Sequence, residues 1–321
     1  MKKLFFALLL IGLGCRTGPD LKGVNFREEM RSFVGEINRY AKAANPGFAI
    51  IPQNGIELVT LNGDVAGQVA SQYLTNIDAV GQEDLFYGYN ADNQKTPAEV
   101  TDYLTGFLDV VLNNGKAVLV TDYCSDASKI DDAYLLNKQK QYVPFAAPDR
   151  ELRVVPPYPP APRNTNDRDI ASINDARNFL YLINPENFNT KQAFIDALQA
   201  TNYDVIIMDA FFDGEIWTAP ELSLLKTKAN GGQRLVISYM SIGEAEDYRY
   251  YWQPAYQNTP PAWLSGPNPD WPGNYKVKYW LPSWKAIIYG NPEAYLDKLL
   301  AAGFDGAYLD IIDGFEYFES Q

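Results

Sequence analysis

Short runs of β-branched and aromatic residues recur at 48–52, 84–87, 117–123, 179–183, 204–209, 235–240, 277–281 and 306–310, each of a length suited to a buried strand. Between them, apolar positions return every three or four residues at 27–44, 97–113, 128–140, 191–200, 219–229 and 292–301, the period of a helix with one buried face. Eight strands alternating with helices predict an α/β fold, and eight is the number that closes a (β/α)8 TIM barrel. A doubly wound open sheet is the alternative, although no glycine-rich phosphate loop follows an early strand to support its nucleotide-binding form.

The pattern is uneven at its two ends. The helix at 27–44 has no strand before it, and the strand at 306–310 has no helix predicted after it. These ends read as two halves of one βα unit, which makes the chain a ring of βα units opened at a loop on the catalytic face. The one clear interruption is Val154-Val-Pro-Pro-Tyr-Pro-Pro-Ala-Pro-Arg-Asn-Thr-Asn-Asp-Arg168, proline-rich and then polar, as in a linker. The expected organisation is a single barrel over 24–321, built from segments 24–150 and 173–321 joined by a linker at 151–172.

Composition narrows the chemistry. Residues 1–14 carry Lys2, Lys3 and an apolar run, and Cys15 follows, the layout of an export signal. Either Cys15 is lipidated, giving a cell-envelope lipoprotein whose contact with the membrane is this anchor, or the signal is cleaved and the protein is secreted. There is no histidine, which excludes Ser-His-Asp and Cys-His triads and histidine-ligated metals, and the second cysteine, Cys124, leaves no cysteine zinc site. A net charge of −13 argues against nucleic acid as a partner. It suits a cationic substrate by long-range steering, or serves solubility. No cofactor is implied.

In a barrel, reactive side chains stand at the C-terminal ends of strands. Those positions hold Gln53 and Asn54, Glu83 and Asp84, Asp122 and Tyr123, Asp209, Glu244 and Glu246, and Asp310 with Asp313. Carboxylates and amides gathered on one face suit acid/base or nucleophilic chemistry on a sugar. Each alone is explained as well by capping a helix or turn, or, for Glu244 and Glu246, by ion pairs with Arg249. A cation site among Asp209, Asp310 and Asp313 is a weaker option. All six tryptophans, Trp280 among them, fall between Trp217 and Trp284 alongside many tyrosines; they either stack on sugar rings or pack a long connection.

The strings Val236-Ile-Ser-Tyr-Met-Ser-Ile-Gly-Glu-Ala-Glu-Asp-Tyr-Arg249, Tyr275-Lys-Val-Lys-Tyr-Trp280 and Gly303-Phe-Asp-Gly-Ala-Tyr-Leu-Asp-Ile-Ile-Asp313 resemble the endo-α-1,4-polygalactosaminidases of glycoside hydrolase family 114 and their exported relatives. Ile50-Ile-Pro-Gln-Asn-Gly55, Gly81-Gln-Glu-Asp-Leu-Phe-Tyr-Gly88 and Val118-Leu-Val-Thr-Asp-Tyr-Cys124 resemble the same family. In that family the segment resembling 179–313 comes before the one resembling 27–150, so the resemblance implies a circularly permuted barrel. It further implies a polysaccharide or oligosaccharide substrate, Asp310 as nucleophile or stabilising carboxylate, and Glu83 as acid/base. Asn54 is implied as a substrate contact, and Tyr239, Glu244, Glu246, Asp209, Asp122, Tyr123, Trp280 and Asp313 complete the expected site. Two departures set this chain apart from the polygalactosaminidases: Ile311 stands where they tend to have Asn, and Glu244 where they have Ser.

Overall fold

The computed structural model describes residues 21–321, so the expected signal and Cys15 anchor lie outside the described residues. The centre is eight strands: β1 (Ala49–Pro52), β2 (Ala79–Glu83), β3 (Ala117–Tyr123), β4 (Val143–Ala147), β5 (Phe179–Leu182), β6 (Val205–Asp209), β7 (Leu235–Ser241) and β8 (Gly306–Asp310). Five pair in parallel in the order β1-β8-β7-β6-β5, and three in the order β2-β3-β4. The two sheets meet at a parallel bridge between Gln53 and Gly81, where Asn54 N donates to Gly81 O at 2.9 Å and Asp78 N to Ile50 O at 2.9 Å. At the opposite margin the rings of Phe145 on β4 and Phe179 on β5 are 5.5 Å apart. The strands are buried almost throughout, as parallel strands covered on both faces must be. One apolar cluster draws on both sides of the linker, with Phe48, Leu119 and Phe145 beside Phe179, Ile207 and Leu309.

The helices are α1 (Phe26–Ala44), α2 (Ser71–Thr75), α3 (Ala98–Asn113), α4 (Ala127–Lys140), α5 (Lys191–Gln199), α6 (Ala219–Leu225), α7 (Pro282–Ile288), α8 (Tyr295–Ala302) and α9 (Gly314–Glu319). Asn25 caps α1 by accepting from Glu28 N at 3.1 Å, and Met30, Phe33, Val34 and Ile37 form its buried stripe. From that stripe Arg31 reaches inward to donate to Leu58 O at 2.9 Å and Thr60 O at 2.6 Å, fixing the turn after β1. The linker is ordered rather than free. Asn166 and Arg168 offer their carbonyls to Lys228 Nζ at 2.9 and 2.8 Å, and Lys228 also pairs with Asp204 at 3.1 Å, both side chains fully buried.

Four expectations need correction. The strand predicted at 84–87 lies earlier, at β2, because Asp84 turns the chain into the left-handed region at φ 57°. The run at 277–281 is not a central strand: Asn274–Val277 pairs antiparallel with Glu244–Glu246 and Leu264–Pro267 in a separate sheet, and Pro282 then opens α7. The run at 143–147, absent from the expected strands, forms β4; its Pro144 lacks an N–H and is tolerated on the margin of a sheet. Finally, β8 is followed by a helix, the six-residue α9, whose Glu319 pairs with Arg27 of α1 at 2.9 Å.

Candidate active site

Residues two apart on a strand share a face, so Gly81 and Glu83 on β2, Thr121 and Tyr123 on β3, Ile237 and Tyr239 on β7, and Tyr308 and Asp310 on β8 point the same way as their partners. Glu83 ends β2 and Asp310 ends β8, and β1 runs between those two strands. Each carboxylate takes a tyrosine from the strand on its other side. Tyr239 donates its hydroxyl to Asp310 Oδ2 at 2.7 Å, and Tyr123 donates its hydroxyl to Glu83 Oε1. Asn54, two residues past β1, completes the frame: its Nδ2 donates to Glu83 Oε2 at 3.2 Å and its Oδ1 accepts from Glu83 N at 3.1 Å and Gln82 Nε2 at 3.2 Å.

Beneath the pair the floor is aromatic. Tyr308 and Tyr181 meet edge to face at 5.1 Å, and Tyr181 donates to Gln53 Oε1 at 3.2 Å. Only glycine fits at position 81, since a Cβ there would collide with the Tyr308 hydroxyl.

Burial pushes the Asp310 carboxyl up to about 7; the Tyr239 hydrogen bond opposes that rise and the negative charge of Glu83 adds to it. Burial, followed by the charges of Asp310 and Glu83 respectively, holds the phenols of Tyr239 and Tyr123 well above their ordinary range, so both stay protonated donors. Ile311, directly after Asp310, has φ 59°, a conformation costly for a β-branched residue and of the kind that collects at functional sites. Two carboxyl groups set side by side in this way can give a proton to a leaving oxygen and offer negative charge to the carbon left behind.

The comparisons with known proteins bear on one part of this geometry. Residues 182–321 match the model of glycoside-hydrolase family GH114. The matched segment contains Asp310, Tyr239 and the Glu246–Arg249 turn. Similar proteins include uncharacterized ones from Methanocaldococcus jannaschii (44% identical over 131 residues, 40% of this chain and 36% of the relative), Deinococcus radiodurans (41% over 126 residues, 39% and 38%) and Thermotoga maritima (36% over 124 residues, 39% and 37%). The matched part of this chain thus spans little more than a third of each relative's length. Glu83 and Asn54 lie outside the GH114 segment, and the fold alone brings them to it.

Several expected site residues build the site instead of lining it. Asp122 is fully buried and accepts from Phe86 N at 2.7 Å, Tyr87 N at 2.9 Å and Asn137 Nδ2 at 2.9 Å, so it fixes the loop after β2; burial pushes its carboxyl up to about 7. Glu244, also fully buried, is held by Lys276 at 2.5 Å, Asn268 at 2.8 Å and Asn274 at 3.1 Å in the antiparallel sheet. Arg249 clamps Asp209 through two bonds of 2.8 and 2.7 Å and Glu246 through two of 2.6 and 3.5 Å, which occupies both carboxylates. With Asp209 committed, the cation option loses a ligand, and among the described residues no three acidic, cysteine or histidine side chains group to hold a metal.

Trp280 packs against Phe26 and Phe318 at 5.2 and 4.8 Å, in the seam between α1 and α9. Trp217, Trp263 and Trp284 are core residues, which favours the packing explanation for half of the tryptophans. Asp313 stands at the N-cap of α9 yet makes no capping bond, and burial, then the charge of Glu316, pushes its carboxyl up to about 7. Sequence reasoning missed Arg150, whose guanidinium lies 3.9 Å over the Tyr123 ring, because the strand that delivers it, β4, was unread.

Proposed function

We propose that this protein is an exported glycosidase that cleaves a polysaccharide, with Asp310 and Glu83 as its catalytic carboxylates. One observation carries the reading: Asp310, inside the GH114 segment, has its carboxyl raised first by burial and then by the charge of Glu83, so the two groups share one electrostatic site although 227 positions apart. In this reading Glu83 protonates the leaving oxygen while Asp310 attacks or stabilises the anomeric centre. Asn54 holds Glu83 and stands ready to contact the sugar, and Asp313 adds negative charge beside the pair. The two parallel sheets are read as one closed (β/α)8 barrel, supported by the bridge at Gln53 and Gly81 and by the Phe145–Phe179 contact that draws β4 to β5. A permuted order would also explain why a linear comparison meets the family over 182–321 alone.

The net charge suits a cationic polymer, and the resemblance makes a galactosamine-containing one the first to try, although Ile311 and Glu244 depart from the polygalactosaminidases. Signal-free protein is incubated with polygalactosamine and with neutral and acidic polysaccharides, and new reducing ends are read beside the Glu83→Gln variant. Release from one polymer by the wild type alone supports the proposal. Equal release by the variant removes Glu83 from the mechanism, and silence with retained binding turns the reading to a glycan-binding lipoprotein.

A further inference from the structure

Glu83 is held from two sides, and the side away from Asn54 is elaborate. Tyr123, only 2% exposed, sends its hydroxyl to Glu83 Oε1. Over its ring, at 3.9 Å, lies the Arg150 guanidinium. That guanidinium is itself immobilised: it donates to Asp84 Oδ1 at 3.0 Å and Oδ2 at 3.3 Å, to Asp92 Oδ1 at 2.7 Å and to Gly88 O at 2.9 Å. Gly88, at φ 120°, has no room for a side chain, because a Cβ would collide with Asp84 Oδ1 and lie 2.9 Å from Arg150. Next to Tyr123, Asp122 binds the N–H groups of Phe86 and Tyr87 and so fixes the same loop from below.

We propose that Tyr123, clamped under Arg150, is a positioning residue that fixes the orientation and proton affinity of Glu83 during turnover. A cation over a phenol ring withdraws electron density, which makes the hydroxyl a stronger donor and a weaker acceptor. Tyr123 therefore donates to the Glu83 carboxylate in preference to accepting from its acid form. Among the described residues no cation stacks in this way on Tyr239, so the two tyrosines treat their carboxylates differently. The loop from Asp84 to Asp92 functions as the mount for this stack. The proposal rests on the reading of Glu83 as catalytic, and its test separates the two.

The test uses the full mature chain labelled with ¹³C at glutamate carboxyls, with the Glu83 signal assigned by its loss in Glu83→Gln. The signal is titrated in wild type, Tyr123→Phe and Arg150→Lys, and turnover of polygalactosamine is measured on the same samples. Loss of a donor to a carboxylate favours its protonated form, so Tyr123→Phe is expected to move the Glu83 titration midpoint up by about one pH unit. Arg150→Lys, which keeps the charge but loses the planar stack, is expected to move it part of that way. The kcat of Tyr123→Phe should fall by roughly ten- to a hundredfold with KM nearly unchanged, and the pH profile should move with the midpoint. An unmoved midpoint in folded Tyr123→Phe overturns the proposal. A moved midpoint in a protein whose Glu83→Gln variant is as active as wild type leaves the clamp intact and refutes the catalytic reading instead.

Discussion

Replacing Asp310 with asparagine should abolish turnover and, at alkaline pH, stabilise the fold. The carboxyl is raised from an ordinary 3.8 to about 7, first by burial and then by the charge of Glu83. A carboxyl raised on folding lends stability below its ordinary value and loses it as pH climbs through about 7, because the ionised form is the one the folded state disfavours. About three units correspond to about 4 kcal/mol if fully expressed. Asp310 is partly open to solvent, and screening reduces this to about 1–2 kcal/mol. Asparagine keeps an oxygen for the Tyr239 hydroxyl, which donates at 2.7 Å in the wild type, so little else changes. The assay is urea denaturation of both proteins at pH 5 and pH 8. Asp310→Asn should gain about 1–2 kcal/mol over wild type at pH 8 and much less at pH 5. A variant that is less stable than wild type at pH 8 would refute the electrostatic account of the site, and one that is fully active would refute the assignment of Asp310.

With Asp310 ionised in the attacking role, turnover should rise as pH increases through about 7, the value to which burial and Glu83 raise it; a profile that falls through that range would give the proton-donor role to Asp310. Glu83→Gln should lose at least a hundredfold in kcat while its thermal midpoint stays within a few degrees of wild type, since the amide can still accept from Tyr123 or Asn54. If Cys15 carries a lipid, cells fed a radioactive fatty acid should label the wild type and not Cys15→Ser; label in both would end the anchor proposal.

Much of the fold was legible because parallel strands buried on both faces advertise themselves as apolar runs, as in Val205-Ile-Ile-Met and Leu235-Val-Ile. β2 and β4 did not, since Gly81 leaves room for the Tyr308 hydroxyl and Pro144 lacks an N–H, and both needs are set by neighbours distant in sequence. At the site, strand-end position alone offers both Asp122 and Tyr123, although adjacent strand residues point to opposite faces. The structure resolves the pair: Tyr123 faces Glu83, and Asp122 faces Asn137 of α4. Glu244 and Glu246 sit at a strand end like Glu83, but their fate depended on Lys276 and Arg249, and nothing in a single sequence ranks an ion pair above a substrate. Trp280 was drawn to the site by its tryptophan-rich surroundings, while its contacts are those of a seam.

The central claim is hydrolysis of a glycosidic bond by Asp310 and Glu83. Its most direct test is mass spectrometry of the products formed from polygalactosamine in ¹⁸O-enriched water by wild type, Glu83→Gln and Asp310→Asn. One solvent oxygen at each new reducing end from the wild type, with no product from either variant, is the predicted result. Products lacking the solvent oxygen, or equal yields from the variants, would contradict it.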